Sequence, residues 1–148
     1  MEEKAIKESD YWMHHIKESE ISAWRGIAFE EVCLQHIQQI KMALQIAGVT
    51  SQESSLVVNG DDDTDGMQID LLIDRADDVV NVCEMKYSKS SYAITKSYAE
   101  KLQKRMDALE QARPDKKCHL TFVTVNPIER NIHSDIVKSA ITAEELFK

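Results

Sequence analysis

Long hydrophobic runs are missing from this chain of 148 residues. Its longest apolar stretches, such as Val79–Val80 and Leu71–Ile73, fall far short of the roughly 20 residues a bilayer-spanning helix needs, so no membrane segment is expected. No leader is expected either, because Glu2, Glu3 and Lys4 stand where the apolar core of a signal peptide would begin. Cysteine is scarce: Cys33, Cys83 and Cys118 are odd in number, widely spaced and set in apolar segments. That pattern excludes a disulfide framework and points to reduced thiols in a reducing, cytoplasmic setting. No Cys/His spacing matches a zinc site. There is no internal repeat, no low-complexity tract and no GxxxxGK[ST] phosphate loop. Positive charge is also in deficit. With a net charge of −8, and lysines and arginines gathered only partly between Lys96 and Lys117, a strong duplex clamp is not expected. Any affinity for nucleic acid should be weak or supplied by a partner.

What remains is the composition of an ordinary globular domain, 43% apolar and 30% charged, long enough to bury one core. Residues 1–20 read as a polar, frayed lead-in or a short helix that Tyr11, Trp12 and Ile16 could dock, and residues 21–148 as the domain. From Ser22 to about Ala47, apolar residues from Trp24 to Ala47 recur at steps of three and four, which predicts one amphipathic helix. Ser22 is its expected N-cap and Gly48 its stop. A polar connector over 49–66 holds one short strand, Leu56–Val58. Two further segments, "GMQIDLLIDR" and "VVNVCEMKY", are apolar on both faces and predict central strands, paired antiparallel through the short Ala76–Asp78 link. Ile94 to about Ala112 predicts a second helix ended by Pro114. "CHLTFVTV" predicts another buried strand. Ile136–Ile141 reads as an edge strand, with a short helix as the alternative, and Thr142 with Glu145 as a capping box.

Three ionisable residues are out of place in those strands. Glu84 and Lys86 lie two apart and leave one face of the same strand, and a hairpin brings Asp70 near them. Burying such groups costs several kcal/mol each unless they are paired or bind a metal. Adjacent carboxylates also repel. A divalent cation relieves both problems, and Mg²⁺ is commonly held by one or two carboxylates with waters and phosphate. The competing account is an ion pair of Lys86 with Asp70 or Glu84 at the rim of the sheet.

"Asp70 … Glu84-Met85-Lys86" resembles the D…ExK signature of the PD-(D/E)XK nuclease superfamily. "WRGIAFEEVC", "QIDLLIDR", "NVCEMKY" and the closing "EELF" resemble one of its branches, the C-terminal domain of prokaryotic AAA-type ATPases. The likeness spans roughly residues 20–147. It implies a restriction-endonuclease-like α/β fold, an αβββαβ core with a mixed central sheet flanked by helices, in agreement with the element order read above. It also implies Asp70 and Glu84 as metal ligands and catalytic groups, Lys86 as the catalytic lysine, and Glu30 as the helix acid completing a Mg²⁺ (or Mn²⁺) site. Glu31 is the alternative to Glu30, since neighbouring helix positions point about 100° apart. Some relatives place residues that approach the phosphate backbone on the second helix, which puts Tyr98, Lys101 and Lys104 there. The implied partners are nucleic acid, DNA before RNA and weakly held, and an AAA-type ATPase or a second copy of the chain. Ile69 replaces the usual proline of the motif, and the missing phosphate loop leaves an excised domain, a gene remnant or a stand-alone relative. A nuclease-fold module without turnover, serving in docking or dimerisation, is the second functional expectation.

Other motifs are set aside. "DDDTDG", Asp61–Gly66, resembles the start of an EF-hand loop, but its twelfth position is Leu72 where a bidentate Glu is required. His14 and His15 are adjacent and point apart on a helix. Trp24 and Phe29 are expected in the core rather than as base-stacking platforms. Asp74 is expected at the strand end, paired with Arg75 or Lys86.

Overall fold

The computed structural model describes residues 18–60 and 66–147. Two helices open it, α1 (Glu18–Leu34) and α2 (Ile37–Ala43). Three strands follow, β1 (Ser51–Val58), β2 (Met67–Arg75) and β3 (Val79–Lys86). Then come α3 (Lys96–Ala112), β4 (Lys117–Thr124), a 3₁₀ turn at Ser134–Ile136, β5 (Ser139–Thr142) and the short α4 (Ala143–Leu146). The strands form one sheet in the order β1-β2-β3-β4-β5. The first three are antiparallel neighbours, and β4 and β5 are added in parallel, with α3 as the crossover from β3 to β4. The αβββαβ order and the mixed sheet are as expected. β3 lies in the middle and is buried along both faces, as its mainly apolar sequence requires.

Each face of the sheet has its own core. On one, Leu71, Ile73, Cys83 and Met85 pack with Phe29 and Cys33 of α1 and Ile40 of α2. On the other, Val80, Val82, Leu120 and Phe122 pack with Leu102 and Met106 of α3. At about 25 cal/mol per Å², burying such side chains is worth roughly 1.5–3 kcal/mol each, which makes the two layers the main source of stability.

The strand β2 does not keep strict alternation. Ser54 pairs with Leu72, but Leu56 pairs with Ile69, so Asp70 and Leu71 together oppose a single residue of β1. This bulge changes which face the strand presents: Leu71 and Ile73 join the α1 side, while Ile69 joins the α3 side. An extra residue of this kind bends a strand and re-aims a side chain. Here the side chain is that of Asp70.

Several expectations are corrected by the structure. The single helix over Ser22–Ala47 is two helices, and Ser22 lies within α1, which is already helical at Glu18, before the expected boundary at residue 21. The break falls at His36, whose ring Nδ1 lies 2.6 Å from the Val32 carbonyl oxygen and takes the place of a helical partner. Gly48 is not the stop for α2. Gln45 adopts the left-handed conformation (φ 61°), its N–H donates to the Met42 carbonyl, and the Ile46 N–H donates to that of Lys41, closing a Schellman turn. Over residues 49–60 there is less connector than expected, because β1 begins at Ser51 and runs to Val58 as an edge strand of the sheet. The Ile136–Ile141 segment divides into the 3₁₀ turn and β5, an edge strand displaced toward the C-terminus. Trp24 and Ile27 are not core residues: they are 69% and 64% exposed, because α1 turns its Phe29–Cys33 side to the sheet. Phe29 is buried as expected. Asp74 pairs with Lys116 (2.6 Å) and Arg113 (3.3 Å), not with Arg75 or Lys86, since the α3–β4 turn closes over the end of β2. Tyr11, Trp12, Ile16, His14, His15 and Asp61–Asp65 lie outside the described residues.

Candidate metal and phosphate site

Four elements bring charged residues to one hollow. β3 supplies Glu84 and Lys86 on the face that packs against α3. The bulge of β2 supplies Asp70, and α1 supplies Glu30 across the strand ends. α3 supplies Tyr98 and Arg105. All six line a cavity of about 410 Å³, together with Met85. Asp70, Glu84, Lys86 and Glu30, expected together, are thus brought together. Glu30 rather than Glu31 faces the hollow; Glu31 is exposed.

Asp70 is fixed by the backbone. Its Oδ2 accepts from the Met85 N–H at 3.0 Å, just past the last paired residues of the β2–β3 ladder, Leu71 and Cys83. The carboxylate therefore substitutes for a missing strand bond. Glu84 is the most enclosed carboxyl of the hollow, only 3% exposed. Its Oε2 accepts from the Tyr98 hydroxyl at 3.2 Å, and its Oε1 accepts from Arg105 Nη1 at 3.4 Å. Burial, and then the Asp70 carboxylate, push Glu84 up to about 7, against the opposing pull of Lys86, Arg105 and the Tyr98 hydrogen bond. Burial and Asp70 also raise Glu30, with Lys86 opposing. Lys86 Nζ stands 4.9 Å from the centre of the Tyr98 ring, a cation–π distance. The ion pair made by Glu84 is with Arg105, not with Lys86.

The donor set suits a hard cation: carboxylate oxygens only, with Glu84 and Glu30 pushed by burial, and then by Asp70, toward a proton that a metal could replace. Among the described residues, no three His, Cys, Asp or Glu side chains already converge closely enough to form a cage. A Mg²⁺-type site, with one or two carboxylates and the remaining positions left to water and phosphate, does not need one.

Of the helix residues expected to meet nucleic acid, Tyr98 belongs to the hollow, while Lys101 and Lys104 are exposed and do not line it. Sequence reasoning missed Arg105. Its signal was present: residues seven apart on a helix lie two turns along one face, so Arg105 shares the face of Tyr98.

Cys33 and Cys83 are buried free thiols and Cys118 is a partly buried one. Among the described residues, no helix is long and apolar enough to cross a membrane.

No family model and no curated protein sequence matches the chain. A solved protein of unknown function, AF1548, is similar in structure at 14% identity and a TM-score of 0.49, over 75% of this chain and 64% of that one. The chain thus spans less than two thirds of the length of that relative.

Proposed function

We propose that this domain is a Mg²⁺-dependent phosphodiesterase of the PD-(D/E)XK type, acting on DNA. The observation that carries the reading is the meeting of Glu30, Asp70, Glu84 and Lys86 in one hollow, from two hairpin strands and a helix distant from them in sequence. Asp70 and Glu84 would hold the ion and Glu30 would complete the site. When bound, the ion polarises the phosphodiester and lowers the pKa of a water. Lys86, held on the Tyr98 face, would orient that water and balance the charge that develops on the phosphate. The reduced thiols fit a cytoplasmic protein.

A second reading rests on a different observation: Glu84 already has an arginine and a tyrosine as partners. Together with the net charge of −8, this favours a nuclease-fold module without turnover, docking on an AAA-type ATPase or on a second copy of itself. Nicking of supercoiled plasmid at low salt, where weak phosphate contacts are strongest, separates the two. Mg²⁺-dependent nicking by the wild type and none by Lys86→Ala is the outcome expected of the enzyme. No nicking with any divalent ion, with self-association in sedimentation, is the outcome of the module. Nicking retained in Lys86→Ala overturns the roles assigned to Asp70, Glu84 and Lys86.

A further inference from the structure

The contact between Arg105 and Glu84 is built differently from the ion pair at the sheet end. There, Lys116 holds Asp74 at 2.6 Å and also reaches the Arg75 carbonyl, a closed arrangement. Arg105 reaches Glu84 with one nitrogen at 3.4 Å, at the far limit of hydrogen bonding. Arginine–carboxylate pairs that serve as fixed struts are commonly forked, with bonds of about 2.7–2.9 Å. The Arg105 side chain is 22% exposed while that of Glu84 is 3% exposed, and both line the hollow. The guanidinium therefore lies on the open side of a carboxylate that has almost no access to solvent of its own. The other charges acting on Glu84 are those of Asp70 and Lys86.

We infer that Arg105 is a displaceable counter-ion: it covers Glu84 Oε1 while no cation is bound, and it turns to a phosphate oxygen of the substrate when a divalent cation takes that carboxylate. The inference rests on the metal-site reading above. It makes Arg105 a residue that links the two binding events, so that each helps the other as reciprocal coupling requires. It also accounts for a partly buried arginine in a pocket whose carboxylates suit a cation. Without such a turn, Arg105 and the cation would repel at the same oxygen.

The test is Mn²⁺ binding by the full chain, read by the loss of the free-ion electron paramagnetic signal, in wild type, Arg105→Gln and Arg105→Lys. With its competitor removed, Arg105→Gln should bind Mn²⁺ on the order of tenfold more tightly than wild type, the equivalent of one hydrogen bond to a charged group. Arg105→Lys, which keeps the charge, should stay near wild type and guards against a trivial loss of folding in the glutamine variant. Fluorescence anisotropy with a short labelled duplex, with and without Mn²⁺, reads the second half. Mn²⁺ should strengthen duplex binding in wild type by several-fold more than in Arg105→Gln. Unchanged or weaker Mn²⁺ binding in Arg105→Gln, with wild type binding Mn²⁺ at Asp70 and Glu84, overturns the displacement while leaving the metal site standing. Equal Mn²⁺ enhancement of duplex binding in both overturns the turn to phosphate. Mn²⁺ bound by none of the three proteins overturns the metal site and the inference with it.

Discussion

Asp70 and Glu84 are both acids of the hollow, yet they are held in different ways and should fail in different ways. Asp70 closes a backbone N–H of a buried strand residue, Met85. Asp70→Ala leaves that donor without a partner and should cost about 1–3 kcal/mol in urea unfolding, whereas Asp70→Asn keeps an acceptor and should cost much less. Equal losses in the two variants would show that the bond contributes little. Glu84 is governed by burial. Its folded carboxyl keeps a proton up to about 7 against an ordinary 4.5, so between those values the folded protein binds a proton that the unfolded chain has released. Unfolding free energy should therefore fall as pH rises through that window and stay level above it. In the presence of EDTA, Glu84→Gln should lose this slope and be the more stable protein at pH 8, by up to about 3 kcal/mol. A Glu84→Gln protein whose stability follows pH between 5 and 8 just as the wild type does would contradict the burial of this group. The types of these residues, and the strand period that sets Glu84 beside Lys86, were legible in the sequence. The acceptor role of Asp70 was not, because it depends on where the β2–β3 ladder ends.

At the scale of elements, the hollow depends on α3 holding Tyr98 and Arg105 against β3. The helix starts at Thr95, whose Oγ1 accepts from the Tyr98 N–H at 3.2 Å. Thr95→Ala should cost about 1 kcal/mol. The loss should be visible as a lower denaturant midpoint with an unchanged slope, and Thr95→Ser should restore most of it. A midpoint equal to that of wild type would mean that Leu102 and Met106 alone hold the helix in place. The strands β2, β3 and β4 and the helix α3 could be read from apolar runs and from Pro114, because strands buried on both faces and capped helices carry their reasons locally. The first helix departs from its expectation for a complementary reason. Its apolar spacing is continuous, but His36 and the left-handed Gln45 interrupt it through contacts that no periodicity reports. Likewise Trp24 and Ile27 fit the stripe and are exposed, since the sheet accepts only the Phe29–Cys33 side of α1.

For the whole molecule, the proposed metal site has a thermodynamic consequence that needs no turnover. A cation bound only by the folded protein adds RT ln(1 + [L]/Kd), about 2.7 kcal/mol at a hundredfold excess over Kd. For a domain of this size that is on the order of 5–10 °C in Tm. Millimolar Mn²⁺ should raise the melting temperature of wild type, and Asp70→Asn with Glu84→Gln should abolish the rise. A rise retained in the double variant would move the ion to another acidic segment, such as Asp61–Asp65. The sequence by itself determined the αβββαβ order, the central place of β3, and the presence of Asp70, Glu84 and Lys86 in strands where charge is costly. Those follow from local period and from the energy of burial, which residue types alone set. Only the tertiary structure decided that Glu30 rather than Glu31 meets them, that a bulge opposite β1 aims Asp70, and that Arg105 lies on Glu84. Each of these depends on how two separate elements are registered against each other, and register across a packed interface is fixed by the fit of whole faces.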